Sequence, residues 1–220
     1  MNKAQPVFPV GMIKKYKSKE SLIDYIEVNN YITQQYKNET KMRSTKFNNI
    51  LLELVPILKF CEESGHDFLA NVLGLNYDEF WISESWLNYS EKGGKQNLHN
   101  HSNSIISGVL YLKSEDGHPP LILKRQRQEF EPYISLTDHC KDSNGYMSRY
   151  LEFPCEENSM YIFSSNLYHM HDTNTLATPR ISLAWNSLVN FASTDESLQR
   201  LSFHRSAYTR PIVYNLEDNE

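Results

Sequence analysis

Apolar and polar positions divide the chain into two regimes. After Ser18, with Glu20 and Ser21 close behind, apolar residues fall at Leu22, Ile23, Tyr25, Ile26, Tyr31 and Ile32. That spacing is close to 3.6, no Pro or Gly interrupts it, and it predicts a helix. A second pattern, Phe47, Ile50, Leu51, Leu54, Val55 and Leu58, carries Pro56, which should kink the helix or mark a new start. Phe68, Val72 and Leu73 predict a third short piece ended by Gly74. Residues 1–78 thus read as a helical support region whose apolar stripes cover one face of something else.

From residue 79 the period changes to that of strands. The segment 80–89 (FWISESWLNY) is aromatic and partly alternating. Further strands are expected at 104–113 (SIISGVLYLK), 121–124, 133–136, 159–163 and 180–189 (RISLAWNSLV). Gly93-Gly94, Gly117 with Pro119-Pro120, Asn144-Gly145 and Pro179 supply the turns between them. Helices first and short strands afterwards predict an α+β chain, a single domain whose core at 79–190 is a mainly antiparallel sandwich or barrel. Within it, 124–150 is polar, charged and long for a hairpin loop, which suggests an insert at the mouth of a site. Residues 191–220 form a tail ending in acidic LEDNE.

Composition narrows the function classes. The 220 residues are ample for a real core. Lys+Arg 22 against Asp+Glu 27 gives a net charge of −5, a balance that repels phosphate backbones and makes nucleic acid an improbable partner. Aromatic content of 12% argues against disorder, and no apolar run approaches the ~18 residues that span a bilayer. Three cysteines, Cys61, Cys140 and Cys155, form no CxxC and no even-numbered framework, so reduced thiols in a cytoplasmic protein are expected.

The candidate chemistry lies in the histidines. Four of the eight sit in two pairs, His99-Asn100-His101 and His169-Met170-His171. Residues i and i+2 of an extended chain point to one side, so each pair can aim two imidazoles at one point. Imidazole suits Zn, Cu, Fe and Ni. Arg180 follows His169 by 11 residues and opens the most strand-like segment of the chain. Alternation puts Arg180, Ser182, Ala184 and Asn186 on one side and Ile181, Leu183 and Trp185 on the other. A guanidinium at the end of such a strand, beside a metal-binding imidazole, is placed to clamp a dicarboxylate.

These residues carry a family resemblance. Trp86-Leu87-Asn88, 97–102 (NLHNHS), 107–111 (SGVLY), Phe163 through His169, and 180–186 (RISLAWN) resemble the iron(II)/2-oxoglutarate-dependent oxygenases of phages and marine bacteria, and the wider prolyl-hydroxylase-like superfamily. The likeness covers roughly 81–189. It implies a double-stranded β-helix (jelly roll) braced by the N-terminal helices. It also implies that His99 and His169 ligate Fe(II), and that Arg180 binds the distal carboxylate of 2-oxoglutarate with Ser182 and Tyr111 as helpers. The reaction implied is oxidative decarboxylation of the cosubstrate coupled to oxidation of a substrate C–H bond.

One position departs from the resemblance: His101 stands where the superfamily's usual motif has Asp or Glu. Iron(II) has six positions, and the reactants need three, so three protein ligands are the limit. His99, His101 and His169 form the expected set, with His171 or Asp172 as rivals for the third place. Two other functions compete: a cupin-type three-histidine dioxygenase needing no cosubstrate, and a non-catalytic metal-binding or structural jelly roll. Only the oxygenase has a use for Arg180. The partners expected are a small-molecule or peptide substrate and, by default, a second copy in a homodimer. His66, His118, His139 and His204 are expected to be solvated.

Overall fold

The computed structural model describes residues 11–36, 41–45, 49–125 and 148–191. Most of the insert and all of the tail after 191 lie outside the described residues, as do the strand expected at 133–136 and His139 and His204.

Among the described residues, eleven strands form two antiparallel sheets. They are β1 (Ile13–Lys17), β2 (Ile32–Tyr36), β3 (Met42–Thr45), β4 (Tyr77–Ser90), β5 (Gln96–His99), β6 (Ile106–Lys113), β7 (Leu121–Lys124), β8 (Tyr150–Phe153), β9 (Ser159–Ser164), β10 (Tyr168–His171) and β11 (Arg180–Phe191). The larger sheet runs β1-β9-β6-β11-β4-β3-β2 and the smaller β5-β10-β7-β8. Strands far apart in sequence are neighbours in both sheets, which is the jelly-roll arrangement.

Period-2 patterning decides what each face of the larger sheet meets. Ile181, Leu183 and Trp185 of β11 join Leu87 of β4 and Leu110 of β6 in a core with Ile50, Leu51, Ile57, Cys61, Phe68 and Leu69. The opposite face of β11 looks toward the smaller sheet. Tyr111, Leu121, Leu123, Tyr161 and Phe163 form a second apolar cluster between the sheets. The three layers are therefore a helical segment, the larger sheet and the smaller sheet.

The helical first third needs correction. Among the described residues there is one regular helix, α1 (Val55–Asp67), which starts at the Pro56 punctuation with Pro in its first turn, where a missing N–H costs nothing. It passes directly into a π-helical turn at Phe68–Val72, and Gly74 follows at φ +63°. The stretch from Ser18 to Ile32 breaks into a four-residue 3₁₀ turn (Leu22–Tyr25), a four-residue helical turn (Val28–Tyr31) and β2. Isolated helices that short are unstable without tertiary support, and the β-branched and aromatic ITQQY run suits a sheet. Strand β1 was not expected at all; it pairs with β9 from Ile13↔Phe163 to Lys17↔Ser159. Bracing of the larger sheet thus falls to α1 and these short turns. Among the described residues, no helix is long and apolar enough to cross a membrane.

Candidate metal and cosubstrate site

Register brings the histidines together. In the smaller sheet His169 of β10 sits opposite His99 of β5, and directly opposed residues hold their side chains within contact range. Their ring centroids are 4.2 Å apart. His101 lies just past the end of β5, where its backbone N–H donates to the Ser165 carbonyl at 3.0 Å. Its ring is 5.0 Å from that of His169 and 5.7 Å from that of Trp86. The ligand atoms of His99, His101 and His169 all fall within 4.8 Å of one another.

Backbone carbonyls fix which nitrogen each ring presents. His99 Nδ1 donates to the Asn97 carbonyl at 2.8 Å and His169 Nδ1 to that of Leu167 at 2.9 Å. A neutral imidazole whose Nδ1 carries the proton offers its Nε2 lone pair. Burial, and then the neighbouring His99, push the His169 pKa down to about 3, so that ring is neutral at physiological pH. His101 Nε2 and His169 Nε2 lie 3.3 Å apart. Two nitrogens bonded at about 2.1 Å to one ion, at right angles, would be about 3 Å apart. The donor set fits a borderline divalent ion such as Fe(II).

His171 belongs to a different part of the cavity. The register slips between His169 and His171, which sets the second ring apart from the trio. Its Nδ1 donates to the Asp172 carbonyl at 2.8 Å, while its buried Nε2 has no partner. Burial, with Arg180 nearby, holds its pKa down at about 3.

Arg180 is 3% exposed. Its Nη2 donates to Tyr111 Oη at 3.3 Å, and its Cζ stands 4.8 Å over the Tyr111 ring. Its Nε is buried without a partner, and among the described residues no carboxylate pairs with it. Burial raises the Tyr111 pKa to about 12 against the opposing pull of Arg180, so the phenol stays neutral. Ser182 faces Tyr111 on β6 and Asn88 on β4, and Asn88 Oδ1 is another buried atom without a partner. A buried guanidinium lacking an anion carries a desolvation cost of several kcal/mol. Arg180, His171 and Asn88 all line one cavity, and the arginine fits an anionic group there.

A cavity of about 400 Å³ between the sheets unites these residues: His99, His101, His169, His171, Arg180 and Ser182 all line it. Among the other cavity residues, Glu84, Asn186 and Ser107 were given no role from the sequence, although alternation put Asn186 on the Arg180 face of β11. Glu84 lies on the same face of β4 as Trp86 and Asn88, so alternation alone could have placed it there. Asn186, paired with Glu84, and Ser107 complete a polar rim. His118, expected to be solvated, is 7% exposed; its Nδ1 accepts from the Glu115 N–H and its Nε2 donates to the Thr178 carbonyl. Polar contacts on both ring nitrogens let it be buried as a structural residue.

Known proteins resemble this chain in sequence pattern and in fold. Residues 84–186 match the family model described as "Putative 2OG-Fe(II) oxygenase". No curated protein matches the sequence. Solved structures with a similar fold include SnoN, the non-heme alpha-ketoglutarate-dependent epimerase of nogalamycin biosynthesis (TM-score 0.60, 7% identity, 90% of this chain and 92% of that one). Another is HygX from Streptomyces hygroscopicus with nickel, 2-oxoglutarate and hygromycin B bound (TM-score 0.54, 10% identity, 80% and 82%). A third is a Pseudomonas putida prolyl-4-hydroxylase (TM-score 0.53, 11% identity, 80% and 92%). At such identities the likeness establishes the fold, and the family match speaks for the chemistry. The matched residues, a little under half of the chain, contain every clustered imidazole and the buried arginine, and over them the chain is similar to the iron(II)- and 2-oxoglutarate-dependent oxygenases.

Proposed function

We propose that the protein hydroxylates a C–H bond of a small-molecule or peptide substrate, with iron held by His99, His101 and His169 through their Nε2 atoms. Arg180 binds the distal carboxylate of 2-oxoglutarate, Tyr111 orients the guanidinium from beneath, and Ser182 offers a hydroxyl donor beside it. When bound, the iron supplies oxidation: 2-oxoglutarate and O₂ become succinate and carbon dioxide, one oxygen atom entering succinate and the other the substrate C–H bond.

The chain's own residues have three tasks in this reaction. Carbonyls of Asn97 and Leu167 hold two imidazoles in the tautomer that presents Nε2. The Tyr111 face and hydroxyl keep the guanidinium pointed along the cavity. Apolar Val109, Leu121 and Phe163 line the same cavity and limit water around the cosubstrate, which strengthens each charge interaction there.

The observation that carries this reading is the buried, anion-free Arg180 in the same cavity as the histidine trio. A three-histidine dioxygenase without cosubstrate, or a structural metal site, has no use for it. Anaerobic addition of Fe(II) and then 2-oxoglutarate tests it. A weak visible charge-transfer band should appear only with both present, and admission of oxygen should yield succinate. A protein that binds Fe(II) yet develops neither band nor succinate would overturn the reading.

A further inference from the structure

The cavity is charged at both ends, with opposite sign. Among the described residues that line it, Arg180 is the one lysine or arginine and Glu84 the one carboxylate. Glu84 is the cross-strand partner of Asn186, which lies six residues beyond Arg180 on β11, about 20 Å at about 3.3 Å per residue. Trp86, opposite Ala184, falls between them, and its ring packs 5.7 Å from that of His101. The metal-ligand cluster therefore stands between the cationic and the anionic ends. A dicarboxylate reaching from Arg180 to the cluster leaves the Glu84 side for the molecule to be oxidised.

Glu84 is held for this position by buried groups. Its Oε2 accepts from Asn186 Nδ2 at 3.0 Å, and Asn186 Oδ1 accepts from Ser107 Oγ at 2.8 Å. Ser107 Oγ lies a further 2.8 Å from Ser165 Oγ. Asn186 and Ser107 are 5% and 2% exposed, so this relay fixes the amide with its NH₂ toward the carboxylate. Among the described residues no cation pairs with Glu84. The next such couple on the same strands, Asn190 with Glu79, has a similar 3.1 Å bond but lies outside the cavity.

We propose that Glu84 selects the substrate, its carboxylate receiving an aliphatic ammonium group of a small molecule whose reacting carbon lies between Glu84 and the histidine trio. This rests on the oxygenase reading. Charge-assisted hydrogen bonds to a fixed carboxylate favour a cation over a neutral hydroxyl, and the same carboxylate repels anions, which keeps a second dicarboxylate from the substrate side.

Three linear probes of equal length and different charge test the proposal: 1,6-diaminohexane, 1,6-hexanediol and adipate. They are titrated calorimetrically into the protein loaded with Ni(II), which is redox-inert here, and saturating 2-oxoglutarate. The diamine should bind at least about tenfold more tightly than the diol, the preference of one charge-assisted contact. Glu84→Gln should erase the difference, and Glu84→Lys should move preference to adipate; circular dichroism verifies that both variants are folded. Equal affinities for diamine and diol, no binding of the diamine, or a preference that survives Glu84→Gln would overturn the assignment. Failure of the wild-type nickel protein to bind 2-oxoglutarate would instead count against the oxygenase reading itself.

Discussion

His101 Nε2 and His169 Nε2 face each other at 3.3 Å, and the proton of His169 is already committed to the Leu167 carbonyl. Two imidazole nitrogens so placed either share a hydrogen bond or converge on a cation. His171, by contrast, follows a slip in register and is not among the imidazoles whose ligand atoms cluster, and Arg180 is near enough to help lower its pKa. The third ligand is thereby expected at His101 rather than at His171 or Asp172.

Metal affinity should follow that order. His101→Ala is expected to weaken Fe(II) binding by more than the roughly 10–100-fold typical of losing an outer-shell partner. His101→Asp should retain binding, since a carboxylate is also a competent ligand for this ion. His171→Ala should stay within about tenfold of wild type, because it removes at most an outer-shell group. Competition with a chromophoric chelator under nitrogen measures all three. Equal losses at His101 and His171 would disprove the assignment.

Arg180→Ala should weaken 2-oxoglutarate binding by ~3 kcal/mol, the scale of a charge-assisted bidentate contact in a buried site. Arg180→Lys should recover only part of this, because an ammonium lacks the planar fork. Metal affinity should hardly change in either variant. Titration of the nickel-loaded proteins with 2-oxoglutarate gives the constants, and wild-type affinity in Arg180→Ala would rule out the clamp.

How much of this was legible in the sequence depended on the length of the repeating pattern. β11 shows six or more residues of clean alternation, and its inward face came out as expected, with Ile181, Leu183 and Trp185 in the core and Arg180, Ser182, Ala184 and Asn186 on the cavity. β5 and β10 are four residues each, too short for a period to show, although their histidines were conspicuous by chemistry. β1 reads IKKYK and has no apolar periodicity; pairing with β9, a tertiary event, makes it a strand. The Leu22–Ile32 spacing satisfied a helical template because 3₁₀ and α turns share their first contacts. The register slip at His171 lies in cross-strand pairing, which no local pattern displays.

Acid should act through Asp67, which joins β1 to α1. Its Oδ2 accepts from Lys14 Nζ at 2.6 Å and Tyr16 Oη at 2.7 Å, and its Oδ1 from Asn71 Nδ2 at 2.9 Å. The Lys14 bond foremost, then those of Tyr16 and Asn71, hold its pKa down at about 2 against an ordinary 3.8. With the folded pKa depressed, the unfolded chain binds the proton more readily, so the stabilisation is complete above about pH 4 and is lost as pH falls toward 2. The side chain is about a third exposed (35%), and solvent screening leaves roughly 1 kcal/mol or less. Asp67→Asn should therefore be slightly less stable than wild type at pH 7 in urea, with the gap narrowing steadily below pH 4. A gap that widens on acidification would contradict this linkage.

Gly108 is a packing requirement next to the site. It pairs with Trp185 across β6 and β11, and a Cβ built on it would overlap the indole at Cε2, Nε1 and Cζ2. Trp185 is fully buried, donates from Nε1 to Met160 Sδ at 3.3 Å, and borders the cavity. So close an approach forces the buried indole to shift, and Gly108→Ala should cost roughly 1–3 kcal/mol by overpacking. That corresponds to a fall in Tm of about 2–4 °C per kcal/mol for a chain of this size. Trp185→Phe alone should also destabilise, by opening a void. If the contact is the cause, the two changes combined should destabilise by less than their sum, since the smaller ring admits the new methyl. Thermal melts of the four proteins complete the cycle, and strict additivity would show that Gly108 is required for some reason other than the indole stacked against it.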